Sequence, residues 1–76
     1  MTVKVYSTPT CPWCKKVKAF LKENNVKFTD VDVSSDEKAS AEMIKKSGQM
    51  GVPVIDVNGT ILVGFDEAKL KEALKI

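Results

Sequence analysis

The chain has 76 residues, of which 43% are hydrophobic, and carries a formal net charge of +2. This length predicts one domain, residues 1–76, with a small core, and its apolar runs of only a few residues exclude a membrane-spanning helix. Every basic residue is a lysine, and the lysines are spread along the chain. Because nucleic-acid recognition relies on arginine, we expect no nucleic-acid partner, and because the apolar runs are short we expect no membrane partner.

The first two predicted elements are a strand and a helix. Thr2–Ser7 alternates apolar and polar residues and is rich in β-branched side chains, which predicts a strand. A helical repeat follows over residues 12–24, and proline suits its first position. The apolar positions expected to face the core are Trp13, Val17, Phe20 and Leu21, and the lysines expected in water are Lys15, Lys18 and Lys22.

A second strand and a second helix follow. Lys27–Val33 alternates again and predicts a strand. Ser34 and Glu37 have the spacing of a capping box, so a helix is expected from there to about Lys46, ending at Ser47-Gly48. Its inward residues should be Ala39, Met43 and Ile44.

The C-terminal part predicts a hairpin and a last helix. Val52–Val57 and Thr60–Val63 are strand-like, and Asn58-Gly59 between them is a strong two-residue turn signal. Asp66–Lys75 has acids early and lysines late, as the helix dipole favours, with Leu70, Ala73 and Leu74 inward. The order βαβαββα, with a parallel first crossover, predicts an α/β fold with a four-stranded mixed sheet flanked by three helices.

The only two cysteines, Cys11 and Cys14, open the first predicted helix. At the N-cap, the Cys11 sulfur would meet the unpaired N–H groups of the first turn, whose partial positive charge favours a thiolate. Lys15 and Lys16 add positive charge, and Cys14 should be less exposed. The spacing therefore predicts Cys11 as the nucleophile and Cys14 as the resolving thiol in disulfide exchange.

Other uses of this cysteine pair fit the sequence less well. The chain has no histidine, which argues against a base-assisted cysteine hydrolase and against c-type haem attachment. A zinc site needs four ligands, which only a dimer of this chain could supply, so we expect no metal. An inert, structural pair is disfavoured by its position at the start of a helix.

Three motifs together are more specific than the cysteine pair alone. They are YSTPTCPWC after the first strand, the Val52-Pro53 step, and Gly64-Phe65-Asp66 before the last helix. With the element order, they resemble the glutaredoxins, small oxidoreductases of the thioredoxin fold, over essentially the whole chain. The resemblance implies a cis Val52-Pro53 bond, glutathione as reductant, no bound cofactor, and disulfide-containing or glutathionylated proteins as partners.

The resemblance also implies a glutathione groove beside the nucleophile. Val52 would offer its backbone to the substrate, and the backbone N–H groups of Phe65 and Asp66 would hold the γ-glutamyl carboxylate, which a helix start favours. Asp66 could pair with the ammonium group, cap the helix, or do both. The residues expected to bind glutathione are Thr10, Pro12, Trp13, Val52, Pro53, Gly64, Phe65 and Asp66. The residues expected to support the site are Tyr6, Thr8, Lys15 and Gln49.

Departures from the glutaredoxin pattern leave the electron donor open. Thr8 stands where many members have a lysine, Gln49 where a basic residue is frequent, and Val63-Gly64 where Gly-Gly is usual. The alternative is a glutaredoxin-like redoxin that is recharged by thioredoxin reductase and donates electrons to ribonucleotide reductase. Pro12, directly after the first cysteine, favours the glutathione-linked type.

A Cys-x-x-Cys metal-binding or metal-transfer domain is the non-enzymatic alternative. Small copper chaperones have the order βαββαβ and end in a strand, whereas this chain is predicted to end in a helix. Lys4 within the first strand argues against a secretory signal, so we expect a cytoplasmic protein, and we expect a monomer.

Overall fold

The computed structural model describes residues 2–75 and contains the seven predicted elements in the predicted order. The helices are α1 (Pro12–Glu23), α2 (Glu37–Ser47) and α3 (Glu67–Leu74). The strands are β1 (Val3–Ser7), β2 (Thr29–Asp32), β3 (Val54–Val57) and β4 (Thr60–Val63). The second and third strands are shorter than predicted, and α3 is the last element that the structure describes, as in the predicted order and unlike a copper chaperone.

The four strands form one mixed sheet in the order β2-β1-β3-β4. β1 runs parallel to β2, with Ser7 opposite Asp32, and antiparallel to β3, with Tyr6 opposite Val54. β3 and β4 form the predicted antiparallel hairpin. Because Tyr6 and Val54 are partners, the end of β1 lies beside the segment that precedes β3. The chain leaving β1 toward Cys11 therefore starts next to the Val52-Pro53 step.

Side chains alternate between the two faces of the sheet and build two apolar cores. Val5 and Ile55 point to the face covered by α1 and α3, where they pack with Leu21 and Leu70. Tyr6 and Val54 point to the opposite face and pack with Met43 of α2. Of the inward positions predicted for α2 and α3, Met43, Ile44, Leu70, Ala73 and Leu74 lie in or against these cores. Ala39 is buried as well but belongs to neither core.

A polar network fastens α2 to the sheet. The Lys46 Nζ donates to Asp56 Oδ2 at 2.8 Å and to the Tyr6 hydroxyl at 3.1 Å, and lies 2.9 Å from Glu42 Oε1. The Tyr6 hydroxyl in turn donates to Glu42 at 2.8 Å. Burial raises the pKa of Tyr6, which keeps this hydroxyl a donor. The network therefore ties α2 to both central strands.

The N-cap of α2 differs from the prediction. Asp36, not Ser34, caps the helix: its carboxylate accepts the N–H groups of Lys38 and Ala39 at 3.0 and 3.1 Å. Ser34 instead donates its hydroxyl to Asp32 at 2.6 Å in the preceding turn. The capping-box prediction was wrong because the segment offers several capping residues in a row, and spacing alone does not choose among them.

Two side chains of α1 also differ from the helical-repeat prediction. Trp13, expected in the core, is 54% exposed. Lys18, expected in water, is half-buried, with its Nζ 2.8 Å from Asp30 Oδ2 on β2. Trp13 is on the side of the first turn that faces away from the core, whereas Cys14 in the same turn is buried.

Candidate active site

Cys11 is the N-cap of α1, as the sequence predicted. Its backbone is extended (φ −86°, ψ 112°), and its Sγ accepts the N–H of Cys14 at 3.1 Å. Pro12 occupies the first helical position, where no N–H is needed. Cys11 is half-buried, so its sulfur combines access to solvent with a hydrogen bond that stabilises negative charge.

Cys14 lies in a different environment one turn along. It is 1% exposed. Burial, together with a hydrogen bond with Cys11, raises the pKa of the Cys14 thiol to about 11, although the Thr8 backbone and the Lys18 charge act in the opposite direction. Cys14 therefore keeps its proton at neutral pH. Both cysteines are free thiols.

The loop before the helix holds the two cysteines in place. The Thr8 carbonyl accepts the Cys11 N–H at 3.3 Å, and the Cys11 carbonyl accepts the Lys15 N–H at the same distance. Thr10, Pro12 and the Lys15 side chain are exposed at this end of α1. Thr8 therefore contacts Cys11 through its backbone carbonyl.

The Val52-Pro53 bond is cis, as the resemblance implied. The Pro53 carbonyl accepts the Gly64 N–H at 2.9 Å, which ties the segment before β3 to the segment after β4. Gly64 has φ 79°, a conformation that favours glycine. This turn brings Phe65 back toward α1, where its ring centroid lies 6.5 Å from that of Trp13.

These segments enclose a cavity of about 260 Å³ next to the start of α1. It is lined by Trp13, Val52, Pro53, Gly64 and Phe65, all of which the sequence analysis assigned to the groove. A larger depression of about 470 Å³ lies between β4 and α3, lined by residues such as Leu62 and Ala73. It shares no residue with the predicted site, so the smaller groove is the one associated with the cysteines.

Other predicted residues lie outside the groove lining. Asp66 is the N-cap of α3, where its carboxylate accepts the Lys69 N–H at 3.2 Å. The Gln49 side chain lies against Gly51. Tyr6 is buried under α2 on the other face of the sheet, so it supports the fold there and does not line the groove.

Sequence reasoning missed a polar cluster behind Cys14. Lys18 is paired with Asp30, whose Oδ1 accepts the hydroxyl of the buried Ser7 at 2.8 Å. The only sequence signal was that Lys18 follows Cys14 by four residues, which places both on one side of a helix. Asp30 could be added only once the pairing of β1 with β2 was known.

The described residues were also compared with the requirements of a metal site and of a membrane-spanning helix. Among residues 2–75, no group of three or more histidine, cysteine or acidic side chains is arranged to hold a metal ion. None of the helices in this part of the chain has the length and hydropathy needed to cross a membrane.

Comparison with known proteins identifies the family. The glutaredoxin family model matches residues 3–62. The glutaredoxin-like 8.6 kDa protein in the rubredoxin operon of Clostridium pasteurianum is 51% identical, with 96% of this chain and 97% of that protein covered. Glutaredoxin 3 of Escherichia coli K12 is 34% identical over 86% of this chain and 78% of its own length. The chain belongs to the glutaredoxin family.

Solved structures agree with this assignment. The glutaredoxin from Archaeoglobus fulgidus is 30% identical and superposes with a TM-score of 0.90, covering 97% of this chain and 86% of its own. Buckwheat glutaredoxin in complex with glutathione and the NrdH-redoxin from Escherichia coli have TM-scores of 0.76 and 0.84 at 20% and 21% identity. At these low identities, the last two similarities show only that the fold is thioredoxin-like.

Proposed function

We propose that this protein is a dithiol glutaredoxin that reduces protein disulfides, glutathione mixed disulfides, or both, with glutathione as the electron donor. The observation that carries the proposal is the unequal environment of the two thiols. Cys11 is accessible and accepts a backbone N–H at the start of α1, whereas Cys14 is buried and protonated. One thiol is thus prepared to attack and the other to resolve.

The proposed reaction proceeds in two exchange steps. The Cys11 thiolate attacks one sulfur of the substrate disulfide, whose second sulfur leaves as a thiolate and takes up a proton. Cys14 then loses its proton and attacks Cys11, releasing the second substrate thiol and forming the Cys11–Cys14 disulfide. Two glutathione molecules return two electrons to this disulfide and become glutathione disulfide.

Glutathione binding is supported by the groove. Its lining residues Val52 and Phe65 border an apolar channel at the N-terminus of α3, where backbone N–H groups favour a carboxylate. The site lies within one chain, which supports a monomer as the working form. The use of glutathione as reductant supports a cytoplasmic location, where the glutathione pool is reducing.

A second candidate is a redoxin recharged by thioredoxin reductase. Two exposed apolar side chains lie close in sequence to groove residues: Met50, two residues before Val52, is 77% exposed, and Val63, next to Gly64, is 50% exposed. The groove lining contains no lysine, consistent with Thr8 and Gln49 standing where glutaredoxins often carry basic residues. Exposed apolar side chains of this kind would suit the docking of a protein reductase.

The electron donor is tested by comparing two recycling systems on one disulfide substrate. We expect turnover with glutathione and glutathione reductase, and little turnover with thioredoxin reductase. Turnover with thioredoxin reductase alone would contradict the glutathione proposal and support the second candidate. A control lacking this protein measures the background exchange by each system.

Two cysteine variants test the assignment of the thiols. Cys11→Ser is expected to lose all exchange activity, because no other thiol can start the reaction. Cys14→Ser is expected to retain reduction of glutathione mixed disulfides, where glutathione can resolve the intermediate, and to lose most reduction of protein disulfides. Initial rates with both substrate types provide the measurement, and an active Cys11→Ser variant would overturn the assignment.

A further inference from the structure

The polar cluster behind Cys14 has a defined geometry. The Lys18 Nζ lies 2.8 Å from Asp30 Oδ2, and Asp30 Oδ1 accepts the Ser7 hydroxyl at 2.8 Å. Burial raises the pKa of Asp30, but the hydrogen bonds from Lys18 and Ser7 outweigh it and hold the pKa below its ordinary value. Asp30 is therefore a carboxylate that holds the Lys18 ammonium group near β1.

Lys18 stands one helical turn after Cys14, so their Cβ atoms are close neighbours on the surface of α1. Anchoring to β2 directs this lysine toward the sheet instead of letting it extend into water. Its side chain is 22% exposed, and Cys14 is buried. The intervening space is thus partly shielded from solvent, where a charge acts more strongly than at an open surface.

Few other charged groups face Cys14. On its own segment, the side chains that act on the Cys14 thiol are Cys11 and Lys18, and the uncharged Thr8 backbone acts on it as well. β1 contributes Ser7, which has no charge. β2 contributes Asp30 and, two residues further along the same face, Asp32, whose charge acts on Asp30 and whose carboxylate accepts the Ser34 hydroxyl. The charged residues of β1 and β3 lie on the other face, where Lys4 and Asp56 pair with residues of α2. α3 contacts the α1 side of the sheet through Leu70 and Leu74.

The balance of these influences changes during the reaction. In the free dithiol, the hydrogen bond with Cys11 and its charge help to keep the proton on Cys14. Once Cys11 is bonded to a substrate sulfur, it carries no negative charge, so that influence is lost. Burial then remains as the main influence that holds the proton, and Lys18 as the charge that opposes it.

We propose that Lys18, anchored by Asp30, is a positioning residue for the resolving step: its ammonium group favours the Cys14 thiolate once Cys11 has formed a mixed disulfide. The step is balanced. Cys14 gives its proton to solvent and bonds to Cys11 Sγ, the bond from Cys11 to the substrate sulfur breaks, and that sulfur leaves with the electron pair. This inference rests on the proposed exchange chemistry.

A chromogenic disulfide separates the two steps. With the reduced protein in excess over 5,5′-dithiobis(2-nitrobenzoate), attack by Cys11 releases one coloured thiolate in a concentration-dependent first phase. Attack by Cys14 on the mixed disulfide releases the other in a unimolecular second phase. Absence of the first phase would contradict the proposed function itself, whereas the pH profile of the second phase tests Lys18.

Lys18→Gln is expected to leave the first phase unchanged and to slow the second phase about three- to tenfold at pH 7, with its pH midpoint moved upward. The difference should vanish at alkaline pH, where Cys14 is a thiolate in either protein. Lys18→Arg should restore the wild-type profile, because it keeps the charge. Lys22→Gln is the matched control, since Lys22 is an exposed lysine one turn further along α1 and should leave both phases unchanged.

Asp30→Asn separates charge from structural support. It keeps the Lys18 charge and weakens only the anchor that directs this charge toward the sheet, so it should slow the second phase less than Lys18→Gln does. An equal slowing by Lys18→Gln and Asp30→Asn at every pH would overturn the proposal and show that the pair only stabilises α1. An unchanged pH profile in Lys18→Gln, or an equal shift in Lys22→Gln, would also overturn it.

Discussion

Cys11 and Cys14 carry the same thiol group, and their surroundings make them chemically different. Cys11 precedes the helix, and its sulfur accepts an N–H of the first turn. Cys14 is part of that turn, and its side chain is buried. A single residue, Pro12, starts the helix between them without losing a needed hydrogen bond. The different roles that we propose for the two thiols therefore follow from their positions, one at the N-cap and the other three residues into α1.

Trp13, between the cysteines, shows what periodicity alone cannot decide. Its helical spacing matches that of the core residues, yet it lies beyond the edge of the core and packs against Phe65 in the groove wall. Lys16 contacts its ring, with Nζ 4.3 Å from the centroid. An apolar residue in the first turn of this helix therefore contributes to the surface of the site.

Asp56 provides a residue-scale prediction with a defined pH dependence. Burial raises the pKa of Asp56, but Lys46 and the Gly59 N–H outweigh it and lower the pKa below its ordinary value. A lowered folded-state pKa gives stability that is present above the unfolded pKa, about 3.9, and is lost as the pH falls through the folded value. Asp56→Asn should therefore reduce the free energy of unfolding by about 1–2 kcal/mol at pH 7.

Urea unfolding of wild type and Asp56→Asn, measured from pH 7 down to pH 3, tests this sign. The stability difference should be largest at pH 7 and shrink below about pH 4. Acidic residues outside this network are common to both proteins, so their titration cancels in the comparison. Glu42 shares Lys46 with Asp56, so a Glu42→Gln background repeats the comparison without its titration. A difference that grew toward low pH would contradict the expected direction.

At the scale of elements, each helix begins with a side chain that accepts a backbone N–H. Cys11 serves α1, Asp36 serves α2 and Asp66 serves α3. Only in α1 is the cap a thiol, so the same kind of hydrogen bond caps all three helices and, in the function that we propose, also stabilises the attacking sulfur of Cys11. α2 ends at Gly48, whose φ of 75° suits glycine at the end of a helix.

The corrected cap of α2 leads to a prediction. Asp36→Ala should lower the free energy of unfolding by about 1 kcal/mol, because two N–H groups of the first turn lose their acceptor. Ser34→Ala is the matched control and should change stability by less than about 0.5 kcal/mol, since Ser34 is exposed and outside the helix. Chemical denaturation of both variants measures the two effects. A larger loss of stability in Ser34→Ala than in Asp36→Ala would show that Ser34 is the cap after all.

At the scale of the molecule, the sheet separates two cores with different tasks. The larger core, under α1 and α3, supports the helix that carries the cysteines. The smaller core, under α2, contains Tyr6 and Val54 and contacts Val52 of the groove. The groove is thus supported by packing from both faces, although its lining residues come from three separate segments.

A domain of this size depends strongly on each large buried side chain. Leu21 is fully buried in the larger core. Leu21→Ala should cost about 3 kcal/mol, out of only about 3–5 kcal/mol that such a core typically supplies. Thermal and urea unfolding should show a largely destabilised protein. Met50→Ala, at a position that is 77% exposed, is the control and should remain close to wild type.

The sequence by itself determined the order of elements, the hairpin and the N-cap position of Cys11. The hairpin and the helix start follow from local signals: Asn58-Gly59 favours one turn type, and Pro12 favours the first helical position. The groove residues came from the glutaredoxin resemblance, and the structure brings them together.

Only the tertiary structure decided which polar side chains meet. The pairing of Lys18 with Asp30 and that of Lys46 with Asp56 depend on how helices lie across the sheet and on strand register. No local pattern predicts either pair, because the positions of lysines along a helix do not show which of them will lie against the sheet. The same physical reason explains the outward position of Trp13: burial depends on what covers a residue, and that is known only after the chain has packed.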